Sequence, residues 1–415
     1  MSRSPRSNVR RLALGRLLSV TGGAAAFTAL NFTVWDRTHS PFMQALSLLL
    51  TFGVAGLIGP FAGALGDRLD RRTVLIWSEA ISCVFFTAMV FVHSPIALIQ
   101  LAFASAIAEL PFLSASRAAI PNLVDDPEDI SWANSLVTLG VHAGIAIGPV
   151  IGGLLLALTD VSWVFGVNAV SFVISLLLTI SVRGRFQEER GAEHEEHAGI
   201  TAGIVYLWRE PVLRRLSIAW FVFVVGMGMG MVADAPLAED FGWGPMGYGL
   251  LIACWGLGST VGAGVGRWMT ARTEPVWMVF GAFGIALAAF GVGFAPVFPF
   301  VLGALLAMGV CDGLTIVSEN GMLQRRTPDA VRSRAMAAFE AVLSFGLAVA
   351  YVAAGPVLTV MTPQSVYLLG GAGAALAALI LVPLLRLRHE PDQGSAPDLD
   401  AEADIADAMM YPPAS

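Results

Sequence analysis

The sequence predicts an all-α membrane protein with twelve transmembrane helices in two pseudo-symmetric bundles of six. Hydrophobic residues make up 56% of the 415-residue chain, charged residues make up only 13%, and the mean hydropathy is +0.72. These values are too apolar for a soluble protein of this size. Twelve apolar runs are long enough to cross a bilayer, and a pattern in the first half of the chain recurs in the second.

The apolar runs alternate with short breaks that contain charged residues, glycine or proline. A bilayer core requires about 20 apolar residues per helix. The predicted spans are 12–35, 41–65, 72–92, 95–117, 131–158 and 162–182, then 214–234, 246–268, 275–294, 297–318, 334–360 and 364–386. The first span is too long for a signal peptide and lacks a small-residue cleavage site, so we expect it to be retained.

These spans divide the chain into five parts. They are a cytoplasmic N-terminal segment (1–11), a first bundle (12–182), a cytoplasmic linker (183–213), a second bundle (214–388) and an acidic tail (389–415). From Gly199, the linker predicts a helix lying on the membrane surface, with Tyr206 and Trp208 at headgroup depth. His194 and His197 lack the spacing of a His-Glu-x-x-His metal site, so we interpret that stretch as a solvated charged segment. The tail predicts disorder.

The arginines predict the orientation, because cytoplasmic loops of membrane proteins collect positive charge. With twelve spans and both termini in the cytoplasm, all of the 24 arginines except Arg37 fall on the cytoplasmic side. An eleven-span arrangement scatters them over both sides. The pattern therefore predicts a multi-pass protein of the inner (plasma) membrane.

Two kinds of chemistry are excluded by composition. The 24 basic residues are all arginines, whereas a Walker A loop and a Schiff-base enzyme each require a lysine. No cluster of His, Asp and Glu gathers at one membrane face in the sequence, which makes a membrane-embedded enzyme the least favoured class. We therefore expect no enzymatic activity, no cofactor, no metal and no nucleic-acid partner.

A charged turn, GALGDRLDRR at 63–72, separates the second and third predicted spans. Five charges within 67–72 place this turn at a membrane face, because a bilayer core does not hold them. The turn resembles the loop between helices 2 and 3 of major facilitator superfamily transporters. The matching residues are Gly63, Leu65, Asp67, Arg68, Arg71 and Arg72. Asp70 stands where that family usually has a second glycine. The resemblance implies a cytoplasmic gate, in which Asp67 and the nearby arginines pair across helix ends.

The two halves of the chain share a repeat. Pro121 corresponds to Pro328, and Gly148-Pro149 to Gly355-Pro356, at one offset of 207 residues. Internal repeats of this kind build many secondary transporters, with the substrate path between the repeats. The charged turn has a fainter echo at 266–272, which has lost the aspartate.

The fifth predicted span contains GIAIGPVIGG at 144–153. Small residues permit close helix contact and proline bends a helix, so helix packing is one explanation of this string. The string also resembles the fifth-helix motif of the superfamily's proton-linked drug exporters, which implies export rather than uptake. The matching residues are Gly144, Gly148, Pro149, Gly152 and Gly153. Ser135 stands where the upstream glycine of that motif falls.

Ionisable side chains inside the predicted spans are costly to bury and are therefore functional candidates. The main candidates for binding protons or substrate are Glu109, His142 and Asp312. A carboxyl group in surroundings of low dielectric binds and releases a proton as those surroundings close and open. The alternative for Glu109 and Asp312 is a structural hydrogen bond to a neighbouring helix, and the alternative for His142 is a neutral imidazole that donates to a backbone carbonyl.

Three further acidic residues are weaker candidates. Glu79 and Glu340 lie near cytoplasmic ends, where we expect pairing with interfacial arginines. Asp234 lies at the outer end of the seventh predicted span and is expected at the interface. Many drug–proton antiporters of the superfamily carry an arginine deep in the fourth span, whereas this fourth span has only Glu109 inside it and Arg117 at its end.

The resemblance covers residues 10–388, and the stretches before the fifth and eleventh spans are similar to the enterobactin-exporter and macrolide-efflux branch of the superfamily. It implies a monomeric secondary transporter in the lipid bilayer. The implied activity is proton-coupled efflux of a small amphipathic compound (drug, macrolide-like or siderophore-like) by alternating access. The alternatives are an uptake facilitator of the same fold, a lipid flippase and a non-transporting membrane sensor.

Overall fold

The computed structural model describes residues 5–54, 57–58, 70–124, 129–182, 186 and 200–386. Every regular element in these ranges is helical, which confirms the predicted all-α class. The α-helices are α1 (Pro5–Thr38), α2 (Pro41–Leu48), α3 (Arg71–Val90), α4 (Pro95–Ala119), α5 (Asp129–Leu158), α6 (Val161–Ser181), α7 (Ile200–Arg209), α8 (Pro211–Asp240), α9 (Gly244–Val265), α10 (Glu274–Gly293), α11 (Phe298–Arg325), α12 (Asp329–Val360) and α13 (Pro363–Leu381).

Eleven of these helices are long and apolar enough to cross a membrane, namely all except α2 and α7. The second predicted span falls on α2 and the π-helical turn that continues it, Leu49–Val54, and then runs into residues outside the described ranges. The other eleven predicted spans each coincide with one long helix. Several helices extend beyond the predicted ends, because a helix continues past the bilayer while its termini remain capped.

Polar residues and prolines define several of the helix starts. Asp70 caps α3 by accepting a hydrogen bond from the Thr73 backbone N–H at 2.8 Å. Glu210 caps α8 in the same way, with Pro211 at the first helical position. Such side chains satisfy the free N–H groups of the first turn. A helix cap therefore accounts for aspartate at position 70, where the superfamily usually has glycine.

The helices pack in two sets. In the first, α1 packs against α5 and α6, and α3 packs against α4 and α6. In the second, α8 packs against α12 and α13, α9 against α11, and α10 against α11 and α13. The main contacts between the sets join α5 to α9 and α2 to α12. The two sets comprise the helices of the two predicted halves, so the halves meet along two helix pairs.

Glycines bring α9 and α11 close together. A Cβ atom added to Gly309 would lie 2.9 Å from the Ser259 nitrogen, and one added to Gly313 would lie 2.6 Å from the Ala263 nitrogen. Contacts this short leave no room for any side chain. The close packing holds Ser259 of α9 beside α11.

The predicted surface helix is present as α7. It packs against the start of α12, where a Cβ atom on Gly203 would lie 3.0 Å from the Ala335 nitrogen. The Tyr206 hydroxyl donates to the Arg326 carbonyl at 2.7 Å, and Trp208 is half exposed. This helix therefore attaches the linker to the second set of helices.

Candidate functional site

The two ends of the helix bundle differ in charge, and we name them accordingly. The arginine-rich end carries the starts of α1, α3, α5 and α12 and the end of α11. There Arg6 of α1 donates to both carboxylate oxygens of Asp129 of α5, at 3.1 and 3.0 Å. This hydrogen bonding lowers the pKa of Asp129. The arginine-poor end carries the ends of α1, α3, α5 and α12 and the start of α11. It also carries the start of α2 and the end of α8.

At the arginine-poor end, the two sets of helices are joined by polar side chains. The indole N–H of Trp35, near the end of α1, donates to Glu239, near the end of α8. The His39 Nε2 atom lies 3.3 Å from the other carboxylate oxygen of Glu239. Phe42 of α2 packs over Gly355 of α12, where an added Cβ atom would lie 3.4 Å from the ring. These contacts join the two sets of helices at the arginine-poor end.

The glycines of the fifth-helix motif pack against two different helices. Gly144, Gly148 and Gly152 recur every four residues on α5 and face α1, where a Cβ atom on Gly152 would lie 2.7 Å from Ala25 Cα. Gly153 instead faces α9 of the other set, where its added Cβ atom would lie 3.3 Å from the Cα atoms of Met246 and Gly249. The carbonyl group of Pro149 approaches Gly249 from the same side. One part of the motif therefore packs the first set, and the other part joins the two sets.

A cavity of about 260 Å³ lies among the helices of the second set, on the side that faces the first set. Phe27 and Leu48 contribute from the first set, and helices α8 to α13 supply the remaining wall. Most of the lining is apolar and includes Met227, Met231 and Met308. The carboxyl groups of the lining come from Asp234 and Asp312, and its hydroxyl groups come from Tyr248 and Tyr367. An apolar cavity with a few polar groups is the usual form of a small-molecule site.

Asp234 belongs to the cavity wall and not to the membrane interface that the sequence suggested. The Tyr367 hydroxyl donates to the Asp234 carboxylate. The predicted span ended at Asp234, whereas α8 continues to Asp240 and includes Pro236. Asp234 therefore lies more than a turn inside the helix.

Asp312, which is one of the main candidates from the sequence, also lines the cavity. The Ser259 hydroxyl of α9 donates to the Asp312 carboxylate at 3.3 Å. This contact depends on the glycine-mediated approach of α9 and α11. The cavity thus brings Asp312 and Asp234 to one site.

Glu79 and Glu109 form a separate cluster inside the first set. The Ser175 hydroxyl of α6 donates to Glu79 Oε1 at 2.6 Å. Arg16 of α1 is the basic group that acts electrostatically on both carboxyls. Its guanidinium carbon lies 4.6 Å from the centre of the Phe112 ring. Arg16 therefore supplies, from α1, the positive charge that the fourth span lacks.

The distribution of arginines predicts that Arg16 lies on the cytoplasmic side, although Arg16 falls within the predicted span 12–35. In the structure it lies 11 residues into α1, about 16 Å along the helix. Its position inside an apolar run is the sequence signal for a partly buried charge inside the helix bundle.

We predict that Arg16→Gln destabilises the folded protein by about 2 kcal/mol, because it leaves two carboxyls without their cation. The measurement is thermal unfolding of the purified protein in detergent. Arg215→Gln, an exposed arginine at the start of α8 with no recorded side-chain bond among the described residues, is the control and should unfold like the wild type. Adding Glu79→Gln and Glu109→Gln to Arg16→Gln should restore stability. An unchanged unfolding temperature for Arg16→Gln would show that the cluster does not depend on this charge.

The remaining candidates lie away from the cavity. His142 has an exposed side chain on α5, and Glu340 is exposed on α12. Arg72 donates to the Ile180 carbonyl at the end of α6, at 3.0 Å, and Arg71 donates to the Phe186 carbonyl beyond α6, at 3.5 Å. Gly63, Asp67 and Arg68 of the predicted gate lie outside the described residues.

Comparison with known proteins extends the evidence over the whole chain. Residues 12–237 and 226–409 match the family model of the Major Facilitator Superfamily. The enterobactin exporter EntS of Escherichia coli O1:K1 / APEC is 26% identical over 399 residues, which cover 94% of this chain and 95% of the relative. The enterobactin exporter EntS of Shigella boydii serotype 18 has the same identity and coverage.

Solved structures share the fold. A POT family transporter in complex with 5-aminolevulinic acid gives a TM-score of 0.75 at 12% identity, over 93% of this chain and all of the other. A bacterial homologue of the iron transporter ferroportin in an inward-facing state gives a TM-score of 0.73 at 17% identity, with the same coverage. The helical architecture, the central cavity and the family match over both halves lead to one conclusion: this chain belongs to the Major Facilitator Superfamily of membrane transporters.

Proposed function

We propose that this protein exports a small amphipathic compound of siderophore type in exchange for protons. The observation that carries the proposal is the cavity in the second helix set, bordered by Phe27 and Leu48 of the first set, with the carboxyls of Asp234 and Asp312 in an apolar wall. The sequence relation to an enterobactin exporter supports export and this substrate class. The volume of about 260 Å³ lies just below the roughly 300–1,000 Å³ that is usual for ligand pockets.

Alternating access is the mechanism that the architecture favours. The bundles at 12–182 and 214–388 are the two units that rock about the cavity. The Glu239 contacts with Trp35 and His39 close the arginine-poor end in one state and break in the other. Asp234 and Asp312 exchange protons as the cavity opens to each side, because burial and solvation favour different protonation states of a carboxyl group. The protein acts as a monomer in the inner membrane with both termini in the cytoplasm.

The experiment is accumulation of labelled enterobactin, with a panel of other siderophores and antibiotics, in cells with and without the protein. We expect lower accumulation of at least one compound in cells that express it, and loss of this difference with a protonophore. An uptake facilitator would raise accumulation, and a lipid flippase would move labelled lipid in liposomes. Equal accumulation of every compound would contradict export.

We predict that Asp67→Ala abolishes this export without lowering expression, because the family resemblance implies a gate at the arginine-rich end in which Asp67 pairs across helix ends. The assay is protonophore-sensitive efflux, with protein quantity measured in the same membranes. Asp160→Ala, in the turn between α5 and α6 at the other end, is the control. Undiminished efflux by Asp67→Ala would refute the gating role.

A further inference from the structure

Three acidic side chains lead from the cavity to the arginine-rich end in the second set of helices. Asp312 and Glu319 both lie on α11, two turns apart on one face and about 10 Å apart along the helix axis. Glu340 of α12 and Asp312 are the charged groups that act electrostatically on Glu319. Asp312 borders the cavity, Glu319 is buried and Glu340 is exposed. The three groups therefore form a line from a closed space to the surface.

Glu319 has no counter-charge among the described residues. It is only 9% exposed, and no described residue donates a hydrogen bond or an ion pair to its carboxyl. Both of its charged neighbours are acidic. Its position contrasts with that of Glu79 and Glu109 in the first set, which share Arg16.

Three of the four arginines at this end of α11 and α12 have recorded partners other than Glu319. Arg325 pairs with Glu274 of α10. Arg326 Nη1 lies 3.3 Å from the Glu210 carboxylate, and Arg332 donates to the Thr327 carbonyl at 3.3 Å. These bonds direct the basic groups towards other partners than Glu319.

A buried carboxyl requires a cation, hydrogen-bond donors or a proton to offset the cost of its burial. The described residues around Glu319 provide neither a cation nor a hydrogen-bond donor. A metal ion does not fit, because Asp312 and Glu319 are about 10 Å apart along the helix, whereas metal–oxygen bonds are about 2.0–2.6 Å long. The described residues contain no group of three or more potential metal ligands. Among the groups that the described residues provide, a proton is therefore the ligand left for this carboxyl.

We propose that Glu319 is a proton-binding group through which the coupled proton passes between Asp312 in the cavity wall and Glu340 at the arginine-rich end. The inference rests on the proposed proton-coupled export and assigns the proton a route within the second set of helices. Each step transfers one proton from a carboxyl group to water and from water to the next carboxylate. No other bond forms or breaks.

The first test measures the proton on Glu319 without any substrate. The full-length protein and Glu319→Gln are reconstituted in vesicles of phosphatidylethanolamine and phosphatidylglycerol, and their infrared spectra are recorded at neutral pH. The difference between them is expected to show a protonated carboxyl stretch in the wild type that the variant lacks. A difference spectrum with only a carboxylate band would show that Glu319 is ionised, and would overturn the proposal.

The second test uses labelled enterobactin as the probe in the same vesicles. A pH difference of one unit sustains about a tenfold concentration gradient in a one-for-one exchange. Glu319→Gln is expected to lose this roughly tenfold accumulation and to keep exchange of the probe at equal pH, which also shows that the variant is folded. Glu319→Asp retains a carboxyl group and should recover most of the accumulation.

The outcomes separate the inference from the proposed function. Full accumulation by Glu319→Gln, beside an active wild type, would overturn the proton route and leave export intact. A wild type that fails to accumulate the probe under a pH gradient would contradict proton-coupled export of this compound. In that case the infrared result would still decide whether Glu319 holds a proton.

Discussion

Gly153→Leu is expected to keep the arginine-poor end open and to stop transport. A Cβ atom on Gly153 would already lie 3.3 Å from the Cα atoms of Met246 and Gly249, and closer still to the Pro245 carbonyl oxygen. Three further carbon atoms have no space unless α9 moves away from α5, which separates the two helix sets. Overpacking of this kind costs about 1–3 kcal/mol. That penalty shifts a two-state equilibrium by roughly tenfold to a hundredfold.

The shift is measured as the reactivity of a cavity cysteine. Met227→Cys, in a background with Cys83, Cys254 and Cys311 replaced by alanine, places a thiol in the cavity wall. In Gly153→Leu, a membrane-impermeant thiol reagent added from the arginine-poor side should react with it roughly tenfold faster or more.

Two glycine variants serve as controls for Gly153→Leu. Gly264→Leu is the matched control, because nothing lies within 4 Å of a Cβ atom at Gly264 of α9. Gly152→Leu should lower the yield of folded protein instead, since Gly152 packs within the first set against Ala25. Wild-type reactivity and transport in Gly153→Leu would show that closure does not depend on this contact.

The sequence was sufficient to predict the fold class because bilayer thickness and the cost of burying charge act along the chain itself. Run lengths and arginine positions therefore located the long helices without knowledge of their neighbours. Helix ends were less accurate. The tenth predicted span ended at 318, in a stretch rich in polar residues, whereas α11 continues to Arg325. Glu319 was consequently left out of the candidates.

The candidate site was only partly predictable because its chemistry depends on contacts between helices. Glu109 and Asp312 were equivalent in the sequence, as single acids inside apolar runs. In the structure, Arg16 accompanies Glu109, whereas Asp312 faces a cavity with Ser259 beside it. Likewise, the bond from Trp35 to Glu239 joins residues more than 200 positions apart. No local pattern indicates such a pair.

Asp234→Asn is expected to abolish proton-driven export while preserving the shape of the cavity. Asparagine matches aspartate in size but neither carries its negative charge nor exchanges a proton. Asp234 lines the cavity and accepts a hydrogen bond from Tyr367. Hydrogen bonds to charged groups contribute about 1.5–3 kcal/mol, which corresponds to roughly tenfold to a hundredfold in affinity or rate. The measurement is protonophore-sensitive efflux in cells, with binding of the same compound to the purified variant.

Two tyrosine variants distinguish the carboxyl from its surroundings. Tyr367→Phe removes the donor to Asp234 and keeps the carboxyl, so we expect a smaller loss, of about tenfold. Tyr351→Phe is the matched control, because the Tyr351 hydroxyl approaches Met231 Sδ at 3.3 Å instead of Asp234. It should export at close to the wild-type rate. Wild-type efflux by Asp234→Asn would place the coupled proton elsewhere and leave Asp312 as the carboxyl of the cavity that binds it, since Asp312 is the other acidic group in the lining.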